Sequence, residues 1–173
     1  MSARHLVLVG LMGAGKTTVG QRCAQLLGRA FVDTDELITA TTGMTVAEIF
    51  AGQGEAHFRE LERRAVADAC ASPEPLVIAC GGGAVLDPAN RTRLRDTGLV
   101  VWLQAPADVL SARVGNDTGR PLLRNGGATT LERLAVLRAP AYEDAADVVV
   151  DTAGRSIDEV ANHVIELFKS CNA

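Results

Sequence analysis

Residues 10–17, with the sequence GLMGAGKT, restrict the fold more than any other part of the chain. They match the pattern G-x-x-x-x-G-K-[ST], follow an apolar run at His5–Val9 and precede a helical pattern at residues 17–27. In such a strand–loop–helix unit, glycines let backbone N–H groups point at phosphate oxygens, and the helix start adds free N–H groups. Lys16 is then expected to reach the β- and γ-phosphates of a nucleotide, and Thr17 to ligate Mg²⁺.

The rest of the chain alternates apolar runs with helical patterns. Further strands are predicted at residues 31–32, 76–80, 99–103 and 148–150. Helices are predicted at residues 54–71 and 156–168. Capping boxes, which mark helix starts, are predicted at Thr45 with Glu48, Thr129 with Glu132 and Ser156 with Glu159. The strands lack polar alternation, which favours a parallel sheet covered on both faces. The chain of 173 residues is therefore expected to form one α/β domain, residues 1–173.

Composition argues against several classes of function. The chain has 17 basic and 21 acidic residues, a net charge of −4, and four Phe, one Tyr and one Trp. These numbers disfavour phosphate tracking along a nucleic acid and stacking on its bases. No apolar run reaches the ~18 residues of a membrane span, and the four cysteines form no metal-binding or disulfide pattern. We therefore expect a cytoplasmic protein that binds neither nucleic acid nor membrane.

A phosphate loop does not by itself distinguish a kinase, a motor-type ATPase and a GTP switch. Residues 148–154, VVVDTAG, imitate the strand and D-x-x-G element of GTPases. The guanine-reading N-K-x-D element is missing from the 19 residues after Gly154, and only nine residues precede Gly10 for a permuted order. Residues 151–154 are therefore predicted to be a strand end and a turn.

Polar and glycine residues follow the second and third predicted strands, where ligands bind in open α/β sheets. Of Asp33 and Asp35, one is expected near a metal and the other near an acceptor, although one of them could be only the N-cap of the next helix. Gly81, Gly82 and Gly83 could hold an oxygen-rich ligand on their N–H groups, or form only a tight turn.

Two further features involve arginine. Arg59 and Glu62 share a helix face, and their spacing alone favours a solvated ion pair over a carboxylate that orients Arg59 toward an anionic ligand. Arg120 lies in the glycine-rich segment 115–129, a length typical of a functional or disordered loop. A mobile loop with an arginine is suited to close over a transferring phosphoryl group.

Together these residues resemble the shikimate kinase family. The motifs that follow the family order are residues 10–17, Asp33-Thr34-Asp35, Phe58-Arg59 with Glu62, Gly81-Gly82-Gly83, Arg120-Pro121-Leu122-Leu123 and Arg138 with Tyr142. The resemblance runs from about His5 to Phe168. It implies a P-loop NTPase fold similar to that of nucleoside monophosphate kinases: a three-layer α/β/α sandwich with a five-stranded parallel sheet and a mobile lid at about residues 115–128.

The resemblance also implies the reaction: transfer of the γ-phosphoryl of ATP to the 3-hydroxyl of shikimate, giving shikimate 3-phosphate and ADP, in the route to chorismate and aromatic amino acids. The catalytic residues it implies are Lys16, Asp35 and Arg120. The ATP-binding residues are Gly13, Ala14, Gly15, Lys16, Thr17, Thr18, Arg113, Arg120 and Arg155. The shikimate-binding residues are Asp35, Arg59, Glu62, Gly81, Gly82, Gly83 and Arg138.

For the metal, Thr17 resembles a direct Mg²⁺ ligand and Asp33 a ligand through water. Oxygen ligation also admits Mn²⁺. ATP and shikimate are the expected partners of a monomeric enzyme. The alternatives are a gluconate kinase, against which Arg59, Glu62, Arg138 and the three glycines argue because they suit a ring carboxylate, and a non-catalytic nucleotide-binding or switch module.

Overall fold

The central sheet is parallel throughout. The computed structural model describes residues 4–115 and 127–172, and within them five strands pair in the order β2-β3-β1-β4-β5. The strands are β1 (His5–Val9), β2 (Phe31–Asp33), β3 (Val77–Ala79), β4 (Gly98–Gln104) and β5 (Val148–Asp151). Leu6 of β1 lies beside Val77 of β3 and Leu99 of β4, so the carboxyl ends of the strands share one edge. The predicted five-stranded parallel sheet is confirmed.

Helices cover both faces of this sheet. Those of the described residues are α1 (Lys16–Leu27), α2 (Thr34–Thr42), α3 (Val46–Cys70), α4 (Pro88–Thr97), α5 (Ala107–Val114), α6 (Gly127–Ala145) and α7 (Ile157–Asn172), with a 3₁₀ turn at Ala84–Leu86. Helices α1 and α7 pack together on one face, and α4 packs between α3 and α6 on the other. In the part of the chain that the structure describes, no helix combines the length and apolar character that crossing a membrane requires.

The strands are buried because helices lie on both sides of them. Leu6, Val7 and Leu8 of β1 are fully buried although their side chains alternate between the two faces, and Val100 and Val101 of β4 behave in the same way. Continuous burial of successive residues is what an apolar run without alternation predicts. The main core therefore extends through all three layers.

A second, smaller core joins α2 to α3. It contains Ile38, Ile49, Phe58 and Ala65, and the rings of Phe50 and Phe58 lie 4.8 Å apart. Helix α3 starts at the predicted Thr45–Glu48 capping box and is kinked at Gly54, whose φ of 84° favours glycine. The predicted helix at residues 54–71 is the part of α3 that follows this kink.

Of three other local predictions, two are confirmed and one is wrong. Ser156 and Glu159 form the predicted capping box at the start of α7, with each backbone N–H bonded to the other side chain. The capping box at Thr129 is wrong because α6 already includes Gly127, so Thr129 lies inside a helix. The predicted turn after β5 is present, since the Asp151 carboxylate accepts from the N–H of Ala153.

His5 is a buried histidine held in its neutral form. Its Nδ1 accepts from the N–H of Leu76 at 3.0 Å, so the ring proton lies on Nε2, which faces the Cys70 carbonyl at 3.4 Å. Burial lowers the pKa of His5, the Cys70 carbonyl opposes this shift, and the positive charge of Arg29 adds to it. Protonation of the ring would remove the acceptor for Leu76.

We expect His5 to make folding depend on pH. The unfolded chain takes up a proton near pH 6.5 and the folded chain only at lower pH, so stability is full above that value and falls below it. Between about pH 7.5 and 5.5 this costs up to about 1.4 kcal/mol. Urea unfolding at several pH values should show the loss in the wild type and the exposed-site control His57→Asn, and a smaller loss in His5→Asn. Equal slopes in all three proteins would contradict this role.

Candidate active site

The loop after β1 is built for close backbone approach. Gly10, Gly13 and Gly15 have φ values of 149°, 84° and 93°. A Cβ at Gly10 would collide with the carbonyl oxygen of Leu103, and one at Gly13 would lie 2.7 Å from that of Leu110. Only glycine meets both the backbone and the space requirements at these two positions. The loop that follows β1 therefore packs closely against β4 and α5. Gly15 at its end is the N-cap of α1.

A cavity of about 430 Å³ opens in front of this loop. It is lined by Gly13, Ala14, Gly15, Lys16, Thr17, Thr18, Val19, Arg113, Thr152, Arg155, Ser156, Ile157 and Val160. Its volume lies in the range of small-molecule and cofactor sites. The ammonium of Lys16 donates to the carbonyls of Gly10 at 2.7 Å and Leu11 at 2.9 Å. All six predicted phosphate-loop residues thus line one cavity.

The far end of this cavity is formed by the segments around α5 and the start of α7. Arg113 donates to the hydroxyl and the carbonyl of Thr152, each at 2.9 Å, and to the Gly13 carbonyl at 3.3 Å. Arg155 donates to the carbonyls of Asp151 and Glu159, both at 3.3 Å. The structure therefore brings both predicted arginines to the cavity in front of the phosphate loop.

Sequence analysis missed five residues of this cavity wall: Val19, Thr152, Ser156, Ile157 and Val160. Ser156 carried a signal, because its capping box fixes where α7 starts, but nothing in the sequence placed that helix start beside α1. The apolar side chains of Ile157 and Val160 give the cavity a wall suited to a flat ring.

Thr17 and Asp33 form an oxygen-rich corner beside the loop. The hydroxyl of Thr17 donates to Oδ2 of Asp33 at 2.9 Å. Oδ1 of Asp33 accepts from the N–H of Asp35 at 2.9 Å and caps α2. Asp33 is therefore the N-cap that sequence analysis offered as an alternative, and it also contacts Thr17, the other predicted metal ligand.

This corner fits Mg²⁺. A hydroxyl and a carboxylate are hard oxygen donors, and Mg²⁺ is commonly bound by one or two carboxylates together with substrate phosphates. No three His, Cys, Asp or Glu side chains converge on one point within residues 4–115 and 127–172. The donors present thus suit an ion that arrives with a nucleotide better than an ion caged by protein alone.

Asp33, the last residue of β2, and Thr34 and Asp35, the first two of α2, contact three different parts of the site. Asp33 meets Thr17, and the buried hydroxyl of Thr34 accepts from the N–H of Gly81 at 3.0 Å. A Cβ on Gly81 would lie 2.7 Å from Oδ1 of Asp35 and 3.0 Å from Oε2 of Glu62. Thr34 therefore ties β2 to the turn after β3, a role that sequence analysis missed.

The glycine turn, residues 81–83, leaves room for four charged side chains. Asp35 and Glu62 lie against Gly81, as described. A Cβ on Gly82 would lie 3.3 Å from Nη1 of Arg138, and one on Gly83 would lie 2.6 Å from Cζ of Arg59. The turn is tight, as one of the two sequence interpretations held, and its lack of side chains admits two carboxylates and two guanidinium groups.

Arg59 and Glu62 form an ion pair whose carboxylate is buried and whose guanidinium is partly buried, so the solvated pair favoured by spacing alone is wrong. Nη1 of Arg59 donates to both carboxylate oxygens of Glu62, at 2.9 and 3.2 Å, and Nη2 donates to Glu55 at 3.1 Å. Glu62 is 2% exposed and Arg138 is 4% exposed. Burial raises the pKa of Glu62, and the positive charge of Arg59 opposes this shift. Burial acts to lower the pKa of Arg59, but the Glu62 carboxylate raises it.

The phosphate loop and the glycine turn lie close together. A Cβ on Gly82 would lie 3.5 Å from the carbonyl oxygen of Gly10 and 3.8 Å from the N–H nitrogen of Met12, both in the phosphate loop. Arg120 and most of the predicted lid lie outside the described residues. The other residues predicted for ATP line the cavity, and those predicted for shikimate gather at the glycine turn.

Known proteins match this chain over nearly its whole length. The family model for shikimate kinase matches residues 12–169. The shikimate kinases of Thiobacillus denitrificans and Symbiobacterium thermophilum are each 47% identical to it. The first alignment covers 91% of this chain and 86% of the relative, and the second covers 94% of each.

A solved structure agrees with these relatives. Shikimate kinase from Acinetobacter baumannii, in complex with shikimate, superimposes with a TM-score of 0.94 at 36% identity. The match covers 98% of this chain and 94% of that one. The fold and family that the motifs imply are confirmed, and the gluconate kinase and switch-module alternatives are set aside. The chain belongs to the shikimate kinase family, whose members are ATP-dependent kinases that phosphorylate shikimate.

Proposed function

We propose that the two adjoining sites transfer the γ-phosphoryl of ATP to the 3-hydroxyl of shikimate, giving shikimate 3-phosphate and ADP. The observation that carries this proposal is that the glycine turn lies close to the phosphate loop, to the buried Arg138 and to the partly buried Arg59. An acceptor held by those arginines would lie next to the terminal phosphate. The Acinetobacter baumannii relative, whose structure contains shikimate, supports the choice of acceptor.

The phosphates of ATP are assigned to the backbone N–H groups of residues 13–18 and to Lys16. In the structure the Lys16 ammonium is bonded to two carbonyls of its own loop, and phosphate oxygens would replace them as stronger, charged acceptors. Arg113 and Arg155 are assigned to the base end of the cavity, with Ile157 as its apolar wall. Thr17 and, through water, Asp33 would hold Mg²⁺, which neutralises charge on the phosphates when bound.

The carboxylate of shikimate is assigned to Arg59 and Arg138. A guanidinium presents paired N–H donors that match a carboxylate, and Glu62 fixes the orientation of Arg59 through two hydrogen bonds. Asp35 lies beside Gly81, where it would bind the acceptor hydroxyl and take its proton as the oxygen attacks the γ-phosphorus. The new bond joins the acceptor oxygen to phosphorus, and the bond from phosphorus to the ADP oxygen breaks. The role of Arg120 stays a prediction from sequence, because that residue lies outside the described residues.

The assembly and location follow from the same site. All described residues of both pockets come from one chain, which is the reason to propose a monomer. A cytoplasmic location is proposed because ATP is available there as the phosphoryl donor.

We expect a marked preference for shikimate in a coupled assay of ADP formation with ATP and Mg²⁺. The panel of acceptors is shikimate, quinate, gluconate and a nucleoside monophosphate. Because the site offers buried charged groups that a wrong acceptor leaves unpaired, kcat/KM for shikimate should exceed that for gluconate and the nucleotide by roughly 10³-fold or more. A better rate with gluconate or with the nucleoside monophosphate would refute the assignment.

We expect Gly83→Ala to damage shikimate binding and leave the fold intact. Gly83 has φ −98°, which alanine tolerates, but the added methyl group would lie where the Arg59 guanidinium is. Displacement of Arg59 should raise KM for shikimate by about tenfold, equivalent to about 1.4 kcal/mol, with KM for ATP changed less than about twofold.

The matched control for this variant is Gly52→Ala, since nothing lies within 4 Å of a Cβ at Gly52. Steady-state kinetics with each substrate varied in turn, together with thermal unfolding, measure the effect. Wild-type kinetics for Gly83→Ala would show that Arg59 does not need this clearance.

A further inference from the structure

We propose that Tyr142 is a positioning residue of the acceptor site, whose hydroxyl holds the Gly82 carbonyl and thereby fixes the glycine turn against the Arg138 guanidinium. Tyr142 is itself assigned to neither substrate and acts through Gly82 and Arg138, which are. The proposal rests on the assignment of Arg138 to the shikimate carboxylate.

The hydroxyl of Tyr142 joins two separate elements. Its oxygen donates to the carbonyl of Gly82 at 2.5 Å, across 60 residues of sequence. Arg138 lies one helical turn earlier on α6, and its positive charge opposes the rise in the pKa of Tyr142 that burial causes. Its Nη1 would lie 3.3 Å from a Cβ on Gly82, so Arg138 and the Tyr142 hydroxyl meet the same glycine. The hydroxyl therefore ties α6 to the glycine turn beside Arg138.

The ring of Tyr142 gives the hydroxyl a rigid base. The side chain is 1% exposed, and the ring stacks on Trp102 of β4 with centroids 5.2 Å apart and planes 22° apart. Burial raises the pKa of Tyr142 to about 12, so the phenol keeps its proton at any pH at which the enzyme works. The donor to Gly82 is thus always present, and its position is set by the sheet.

Gly82 is where this contact reaches both sites. A Cβ on Gly82 would lie 3.3 Å from Nη1 of Arg138, 3.5 Å from the Gly10 carbonyl oxygen and 3.8 Å from the Met12 nitrogen of the phosphate loop. A partly buried carbonyl without its donor tends to shift toward another partner, because leaving it unpaired is costly. Removal of the Tyr142 hydroxyl should therefore loosen the glycine turn and, with it, the position of Arg138.

Tyr142→Phe is the variant that tests this role, because it keeps the ring and removes only one oxygen atom. We expect KM for shikimate, and its Kd by titration calorimetry, to rise by about tenfold. KM for ATP should change less than about twofold. The matched control is Ile165→Val, a core change on α7 away from both sites, which lowers stability without touching this contact. A tenfold rise in Tyr142→Phe together with near wild-type KM values in Ile165→Val supports the proposal.

A double-mutant cycle shows whether Tyr142 acts through Arg138. In an Arg138→Ala background, the effect of Tyr142→Phe on the shikimate Kd should shrink to less than about twofold, because the oriented group is gone. A full tenfold effect in that background would overturn the proposal, as would unchanged shikimate binding in Tyr142→Phe alone. If Arg138→Ala itself leaves shikimate binding unchanged, the assignment of Arg138 has failed, and the positioning role falls with it.

The fluorescence of Trp102, which is the one tryptophan of the chain, checks that the ring stays in place. An unchanged emission spectrum in Tyr142→Phe assigns the loss of binding to the missing hydroxyl. A shifted spectrum would assign it to repacking of the core beside β4 and would overturn the positioning role.

Discussion

The pairing of β1 with β3 is the constraint on which the site depends. These strands are parallel neighbours, and the N–H of Cys80 at the end of β3 bonds to the carbonyl of Leu8 in β1. Because parallel strands end at the same edge of a sheet, the phosphate loop after β1 and the glycine turn after β3 emerge side by side. In the proposed reaction neither segment binds both substrates, but their adjacency would bring a donor phosphate and an acceptor alcohol together. β2, on the other side of β3, adds Asp33, Thr34 and Asp35 to the same edge.

The glycine turn gathers charge where solvent is scarce. Glu62 and Arg138 are almost fully buried, and the partly buried Arg59 is held between Glu62 and Glu55. Burying a charged carboxylate costs desolvation, and its ion pair adds little net stability, so stability alone does not explain its presence. In the proposed reaction the pair would supply a guanidinium fixed before the acceptor arrives, which lowers the ordering cost of binding.

Much of the fold was predictable because strong local signals agree with the tertiary structure. The apolar strands, the glycines of the phosphate loop and the Ser156 capping box each encode one local conformation, and the fold keeps all of them. Thr129 shows the limit, since its pattern is that of a cap but the surrounding helix extends past it. Helices α4 and α5 were not predicted. Helix α4 buries only Asn90 and Leu94, too few residues for a clear apolar face, although Asp87 before Pro88 marked its start.

The site was less predictable than the fold because burial and pairing are tertiary properties. The spacing of Arg59 and Glu62 gave their common helix face, but only the packing of α3 against the glycine turn makes Glu62 a buried partner. The link from Tyr142 to Gly82 spans 60 residues and leaves no local pattern. Family resemblance supplied the expected roles of Arg59 and Glu62, and the structure supplies the reason for their positions.

The most direct test of the central claim is a crystal structure with shikimate and a non-hydrolysable ATP analogue bound together. The account predicts that the shikimate carboxylate bonds to Arg59 and Arg138 and that Lys16 has left the Gly10 carbonyl for phosphate. The 3-hydroxyl oxygen should lie about 3–3.5 Å from the γ-phosphorus, in line with the bond that breaks. Arg59 and Arg138 turned away from the acceptor, or a hydroxyl too far from the phosphorus for direct attack, would contradict it.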